Sequence, residues 1–214
     1  VTNVIPLENG DLFVTFDKSV GIVRNGKFQN LKNLARPCRV LRSACAVNEA
    51  GDVFFGEYLA NNERGEMRVY KYAAGGDALE TIHTFAPNSI KHIHGLYFDE
   101  FSKSIFCLTG DDDKECQILR SFDEFKTIEI VGRGDETWRA VSVLFSEKAF
   151  YYGMDAEFRA NHPKMQLRKT IGRRGFGNGF SRETVRRGLV FYDDRRKRAE
   201  SDGKRRGFMA YRRG

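Results

Sequence analysis

The apolar positions of this chain recur in short runs, not in helical stripes. "LFVTFD" begins at Leu12, "VFFGEY" at Val53, "IFCLTGD" at Ile105, "FYYGMD" at Phe150 and "LVFYDD" at Leu189, at offsets of 41, 52, 45 and 39 residues. Each run is β-branched or aromatic and closes near an acid. A turn string precedes each one: "ENGD", "EAGD", "FSKS", "SEKA" and "RRG". Runs of this kind between turn residues read as strands. A second spacing lies upstream. Arg42, His94 and Arg139 each stand 11 residues before a run, and each opens another apolar stretch, "SACAV", "GLYFD" and "AVSVLF". A third strand reads in "EMRVYKY", "CQILRSF" and "KMQLRKT", and a fourth in "ETIHTF" and "KTIEIVG". No stretch has the period of a useful amphipathic helix. Four strands per unit of about 40–50 residues is the repeat of a propeller blade. The pattern predicts an all-β chain, a β-propeller of four-stranded blades with about five recognisable repeats, divided near residues 36, 89, 134 and 177.

Charge divides the chain differently. The net charge of +7 conceals a C-terminal excess: residues 151–214 hold 18 Lys+Arg against 7 Asp+Glu, a net of +11, which leaves −4 for residues 1–150. Fourteen of those 18 are Arg, which suits paired contacts with phosphate or carboxylate. Residues 1–177 are therefore read as about four blades. Residues 178–214 are read as a degenerate, basic fifth unit or a partly disordered tail. The Arg-rich composition of the C-terminal part of the chain, with Phe176, Phe180, Phe208 and Tyr211 interleaved, makes nucleic acid one candidate partner.

Composition then narrows the class. The 214 residues suffice for one sizeable core or two small ones. No window approaches 18 uninterrupted apolar residues, so no membrane span is expected. The start, "VTNVIPLENGD", lacks the basic and apolar regions of a secretion signal, and a cytoplasmic location is expected. None of the four cysteines lies in a C-x-x-C pair, so free thiols are expected, with a Cys107–Cys116 bridge across a hairpin left open.

The string "SFDEFKTIEI" resembles the Asp-box, S-x-D-x-G-x-T-W, of sialidase-like BNR-repeat propellers. Ser121, Asp123 and Thr127 match; Phe125 stands at the Gly position and Ile128 at the Trp position. "YAAGGDAL" is a weaker echo through Gly76. The longer strings "GDVFFGEYLANNERGEMRVYKY", "IKHIHGLYFDEFSKSIFCLTGDDD" and "TWRAVSVLFSEKAFYYGMD" are similar to a poorly characterised branch of that family, usually six-bladed. The resemblance covers residues 40–157 and fades beyond 160. No F/Y-R-I-P motif occurs, the nearest string being "ARPCRV". The resemblance implies a propeller that binds, and in an enzyme cleaves, an acidic oligosaccharide or polysaccharide at its central face. Glycoside hydrolase and polysaccharide lyase chemistry both remain open, as does a non-catalytic module that binds protein or glycan.

In a propeller the innermost strand starts, and the second strand ends, on the same face. That pairs Arg42 with Glu57, His94 with Asp111, and Arg139 with Asp155. His94, Asp111, Glu57 and Asp155 are the candidate catalytic residues, able to act as acids and bases. Arg42, His92, Arg139 and Trp138 are the candidate substrate contacts, the guanidinium groups through paired N–H donors and the indole by stacking. Each Arg–carboxylate pair has an alternative use, tying blades together, and Trp138 an alternative as packing. Strand alternation places His92 and His94 on one face, where two imidazoles can share a metal. No third ligand is identified, so no metal or cofactor is assigned. His83 and His162 need no role. "GFGNG" at Gly175 reads as a flexible loop, and "DDDKE" at Asp111 as a solvated turn. Limited trypsin digestion is expected to cut first within residues 178–214; first cuts concentrated between residues 90 and 157 would contradict this placement of the core.

Overall fold

A computed structural model describes residues 2–36 and 44–155, and the backbone of residues 167–171. The first sheet is built from β1 (Thr2–Pro6), β2 (Leu12–Phe16), β3 (Ser19–Arg24) and β4 (Lys27–Asn33). The second holds β5 (Ala46–Val47), β6 (Val53–Gly56), β7 (Met67–Tyr72) and β8 (Leu79–Phe85). The third holds β9 (His92–Asp99), β10 (Ser104–Gly110), β11 (Gln117–Ser121) and β12 (Glu129–Arg133). β13 (Ala140–Ser146), β14 (Ala149–Met154) and β15 (Leu167–Ile171) form the fourth. Every sheet is an antiparallel meander whose strands pair in chain order. The fold is all-β. Two 3-10 turns, Asp113–Glu115 and Glu136–Trp138, are the helical segments among the described residues, and no helix there is long and apolar enough to cross a membrane.

Alternation explains how the sheets meet. On β6, Val53 and Phe55 point to a core shared with the first sheet, where Phe13, Val20 and Ile22 wait. Phe54 points the other way, toward Leu96, Ile105 and Cys107 of the third sheet. On β10, Ile105 and Cys107 face the second sheet while Phe106 and Leu108 face Ala140, Phe150 and Tyr152 of the fourth. All seven residues of β10 are buried, as are all four of β6. A continuous apolar strand is what burial on both faces demands. β9 packs against β5 and β6 on one side and β13 on the other. Its backbone joins the second sheet: Ile93 N–H donates to the Glu57 carbonyl at 3.0 Å and Leu96 N–H to the Ala44 carbonyl at 3.1 Å.

Some strands carried little sequence signal. β1, β3 and β4 do not stand out in the apolar pattern; β4, "KFQNLKN", is exposed at all but one position. The run at Leu189 and all of residues 178–214 lie outside the described residues. Cys107 and Cys116 are free thiols, so the open bridge between them is not made.

The turn between β11 and β12 has the hydrogen bonding of an Asx-type device. Asp123 accepts from Thr127 N–H at 2.8 Å through one oxygen and from the Thr127 hydroxyl at 2.7 Å through the other. Ser121 Oγ accepts from Phe125 N–H at 2.7 Å. These bonds hold Asp123 below the usual carboxylate range. Glu124 and Phe125 both sit at positive φ, 59° and 69°. The second is the position where glycine would be unstrained. Phe125 occupies it because its ring, 3% exposed, closes the core between the second and third sheets. Replacing it sets strain against packing. Relief of a left-handed backbone is worth about 1–2 kcal/mol, whereas emptying a buried phenylalanine site costs about 3–5 kcal/mol. Phe125→Gly is therefore expected to lower stability in urea unfolding. A variant as stable as the parent would show that strain dominates.

Candidate functional site

The polar cluster forms where β10 ends and β9 begins. β9 and β10 step out of register between Leu108 and Thr109: Gly95 faces Leu108 and Ile93 faces Thr109, which leaves His94 without a direct partner on β10. A bulge of this kind re-aims a side chain. His94 reaches the fourth sheet, its Nδ1 2.8 Å from the Ala140 carbonyl. His92 Nδ1 lies 3.1 Å from the Leu59 carbonyl. A carbonyl only accepts, so both Nδ1 atoms carry the proton. Both Nε2 atoms then point inward, 3.2 Å apart. Asp111 Oδ1 completes the triangle, 3.4 Å from His92 Nε2 and 3.3 Å from His94 Nε2.

Two cations flank that carboxylate. Lys91 Nζ sits 2.8 Å from Asp111 Oδ2, and Arg139 Nη2 is 3.2 Å from Oδ1 and 3.7 Å from Asp155 Oδ2. With the imidazoles protonated, hydrogen bonds from His92 and His94, with Lys91 beside them, hold the Asp111 carboxyl far below the usual carboxylate range, against its burial. The Tyr58 ring lies 4.5 Å from the His92 ring, and burial, with Asp111 and Asp155 nearby, raises its phenol pKa. The imidazoles form a closed floor at 7% and 2% side-chain exposure, while Lys91, Asp111, Asp155 and Arg139 open to solvent at 25, 20, 23 and 17%. Arg139 Nε is buried and has no hydrogen-bond partner among the described residues. Burial raises the Cys116 thiol to about 12, which keeps it out of this chemistry as a thiolate.

Five of the eight residues read from sequence thus come together: His92, His94, Asp111, Arg139 and Asp155. Arg42 lies outside the described residues. Glu57 is elsewhere, fully buried between the first and second sheets. There it accepts from Tyr70 hydroxyl at 3.0 Å, Arg68 N–H at 2.9 Å and Arg36 Nη2 at 3.1 Å. Its described guanidinium neighbours are Arg36 and Arg68, and their bonds occupy it. Trp138 packs within the sheets: its six-membered ring lies against Gly132, where an added Cβ would come within 2.3 Å of three ring atoms, and it stacks on Tyr152 at 6.3 Å. "DDDKE" is more than a solvated turn. Asp111 belongs to the cluster, and Glu115 accepts from Lys91 N–H at 3.0 Å and from Arg64 Nε at 2.6 Å. Lys91, Tyr58 and Glu115 were not read as site residues. Only the adjacency of Lys91 to "HIH" offered a signal. The basic segment proposed for nucleic acid lies outside the described residues.

No family model matches the chain, and no curated protein matches it significantly. The arrangement itself offers proton acceptors, paired cations and a carboxylate at one opening. Gly110 leaves room for it: an added Cβ would stand 3.2 Å from Cys116 Sγ, 3.3 Å from His94 Cε1 and 3.5 Å from Arg139 Cγ. Gly110→Ala is expected to cost about 1–3 kcal/mol through overcrowding and to shift the imidazole NMR signals of His92 and His94. Unchanged stability together with unchanged histidine signals would contradict this packing.

Proposed function

We propose that the four sheets are successive blades of a β-propeller, and that the cluster at His92, His94, Asp111 and Arg139 binds the anionic group of an acidic carbohydrate. The ring is supported by the serial contact of meanders. It is also supported by the first sheet, whose second face is apolar too. That face carries Val4, Phe16 and Phe28, 54, 40 and 47% exposed, as a blade would before its last neighbour closes on it.

The observation that carries the ligand reading is the meeting of Arg139 and Lys91 at one partly open carboxylate. Both present charged N–H donors at that opening, and a ligand carboxylate accepts from them through charge-assisted bonds. In this reading Arg139 and Lys91 clamp the acid group. His94 and Asp111 stand within proton-transfer reach of each other and serve cleavage by hydrolysis or elimination.

Losing one charge-assisted contact costs about 1.5–3 kcal/mol, or roughly 10- to 150-fold in affinity. Arg139→Ala should weaken an acidic oligosaccharide by that factor and leave a neutral one of equal length nearly unchanged, as read by calorimetry. Equal losses for both ligands, or no binding of uronic- or sialic-acid saccharides by the parent, would sink the reading.

A further inference from the structure

The floor of the cluster poses an electrostatic problem that the carbohydrate reading leaves unsolved. Three acceptor atoms face one another: two imidazole Nε2 atoms and one carboxylate oxygen, each pair 3.2 to 3.4 Å apart. Both imidazoles have committed their Nδ1 proton to a backbone carbonyl. In the neutral rings the inward atoms are lone pairs, with nothing between them to share. A single extra proton sits between two of the atoms, and Arg139 Nη2 reaches Oδ1 from one side at 3.2 Å, but neither engages all three lone pairs at once. A metal dication accepts from all three.

At the bond length of zinc, the dimensions separate four- from six-coordination. Zinc bonds to nitrogen and oxygen of about 2.0–2.1 Å place tetrahedral ligands about 3.3–3.4 Å apart, whereas adjacent octahedral ligands at the same bond length lie about 2.8–3.0 Å apart. The observed edges match the tetrahedral set. The surroundings match as well. Imidazole ligands that donate the other ring proton to a carbonyl, and a ligating carboxylate whose second oxygen is itself hydrogen-bonded, are the usual outer shell of a metal; here the carbonyls belong to Leu59 and Ala140, and the second oxygen is held by Lys91.

We infer that His92 Nε2, His94 Nε2 and Asp111 Oδ1 form a three-ligand site for zinc or a similar divalent transition metal, with the fourth position open toward Arg139 and Asp155. Two neutral imidazoles and one carboxylate leave the bound ion with a net positive charge. Lys91 and Arg139 add to it, so the fourth ligand is an anion or a metal-bound hydroxide. The inference goes beyond the carbohydrate reading and does not rest on it, because metal uptake is measurable with no sugar present.

The full chain, stripped with chelator and dialysed against zinc, is expected to retain one ion per chain by elemental analysis. Cobalt in its place should give the intense visible absorption of a four-coordinate ion. Asp111→Asn, and His92→Ala with His94→Ala, should abolish the stoichiometric ion while far-UV circular dichroism stays that of the parent. Lys91→Met should lower affinity about 10- to 100-fold, as loss of an outer-shell partner does. His83→Ala, on β8 and packed against Phe85 and Phe125, should change nothing. A parent chain that retains no stoichiometric zinc, or a double histidine variant that binds it as tightly as the parent, overturns the site. A six-coordinate cobalt spectrum overturns the tetrahedral assignment. Failure of acidic saccharides to bind, with zinc retained, would remove the carbohydrate reading alone.

Discussion

A strand with apolar side chains on both faces cannot end a structure; it must be covered twice. β6 and β10 impose that condition, since every residue of each is buried. The second and third sheets therefore lie between neighbours, and the sheets follow one another in space as in the chain. Close approach needs gaps in the side-chain layer. Gly56 provides one, where an added Cβ would come within 2.4 Å of the Ile93 side chain, and Gly132 another beneath Trp138. The first residue past each of these two strands is an acid: Glu57 after Gly56, Asp111 after Gly110.

Those two carboxylates occupy matching positions and meet different surroundings. Glu57 is surrounded by donors from Arg36, Arg68 and Tyr70 and has no access to solvent. Removing one partner there would strand a buried charge, which is the mark of a group that holds structure. Asp111 meets donors on one side and two imidazoles on the other, and keeps part of its surface open. One repeat position thus serves cohesion in the second sheet and offers a ligand surface in the third. The difference comes from what the next sheet presents: β13 and the turn before it bring Arg139 and the Ala140 carbonyl.

The sequence pattern made the sheets legible because fully buried strands concentrate apolar residues between turn strings. It failed for β4, which is exposed at all but one position, and for β1 and β3, whose apolar residues are interrupted by Asn3 and Gly21. For the site, spacing sufficed to bring His94 to Asp111 and Arg139 to Asp155, since each pair spans one hairpin. It did not suffice for Glu57, whose carboxylate is taken up by Arg68 and Tyr70 of β7 and by Arg36 beyond β4, or for Trp138, whose ring is drawn onto a glycine that no local pattern marks. Asp111 was read as an acid beside His94 but not as a third ligand beside both histidines. That role depends on two backbone carbonyls, at Leu59 and Ala140, which fix the imidazoles. Carbonyls are the same in every residue and carry no sequence signal.

The register step at His94 connects these levels. Without it, β9 would pair residue for residue with β10, and His94 would be held by its own sheet. With it, the imidazole is aimed by the Ala140 carbonyl of the next sheet, and the Tyr97 hydroxyl, donating to the Val141 carbonyl at 2.6 Å, fastens the same two strands three residues on. The contact that joins the third and fourth sheets is therefore also the contact that chooses the tautomer of His94 and turns its lone pair inward. The orientation of His94 is set by packing between sheets, while the Leu59 carbonyl fixes His92 and the Lys91 ammonium holds Asp111; anchoring each ligand atom by a second partner is the condition for fixed separation before any ligand arrives.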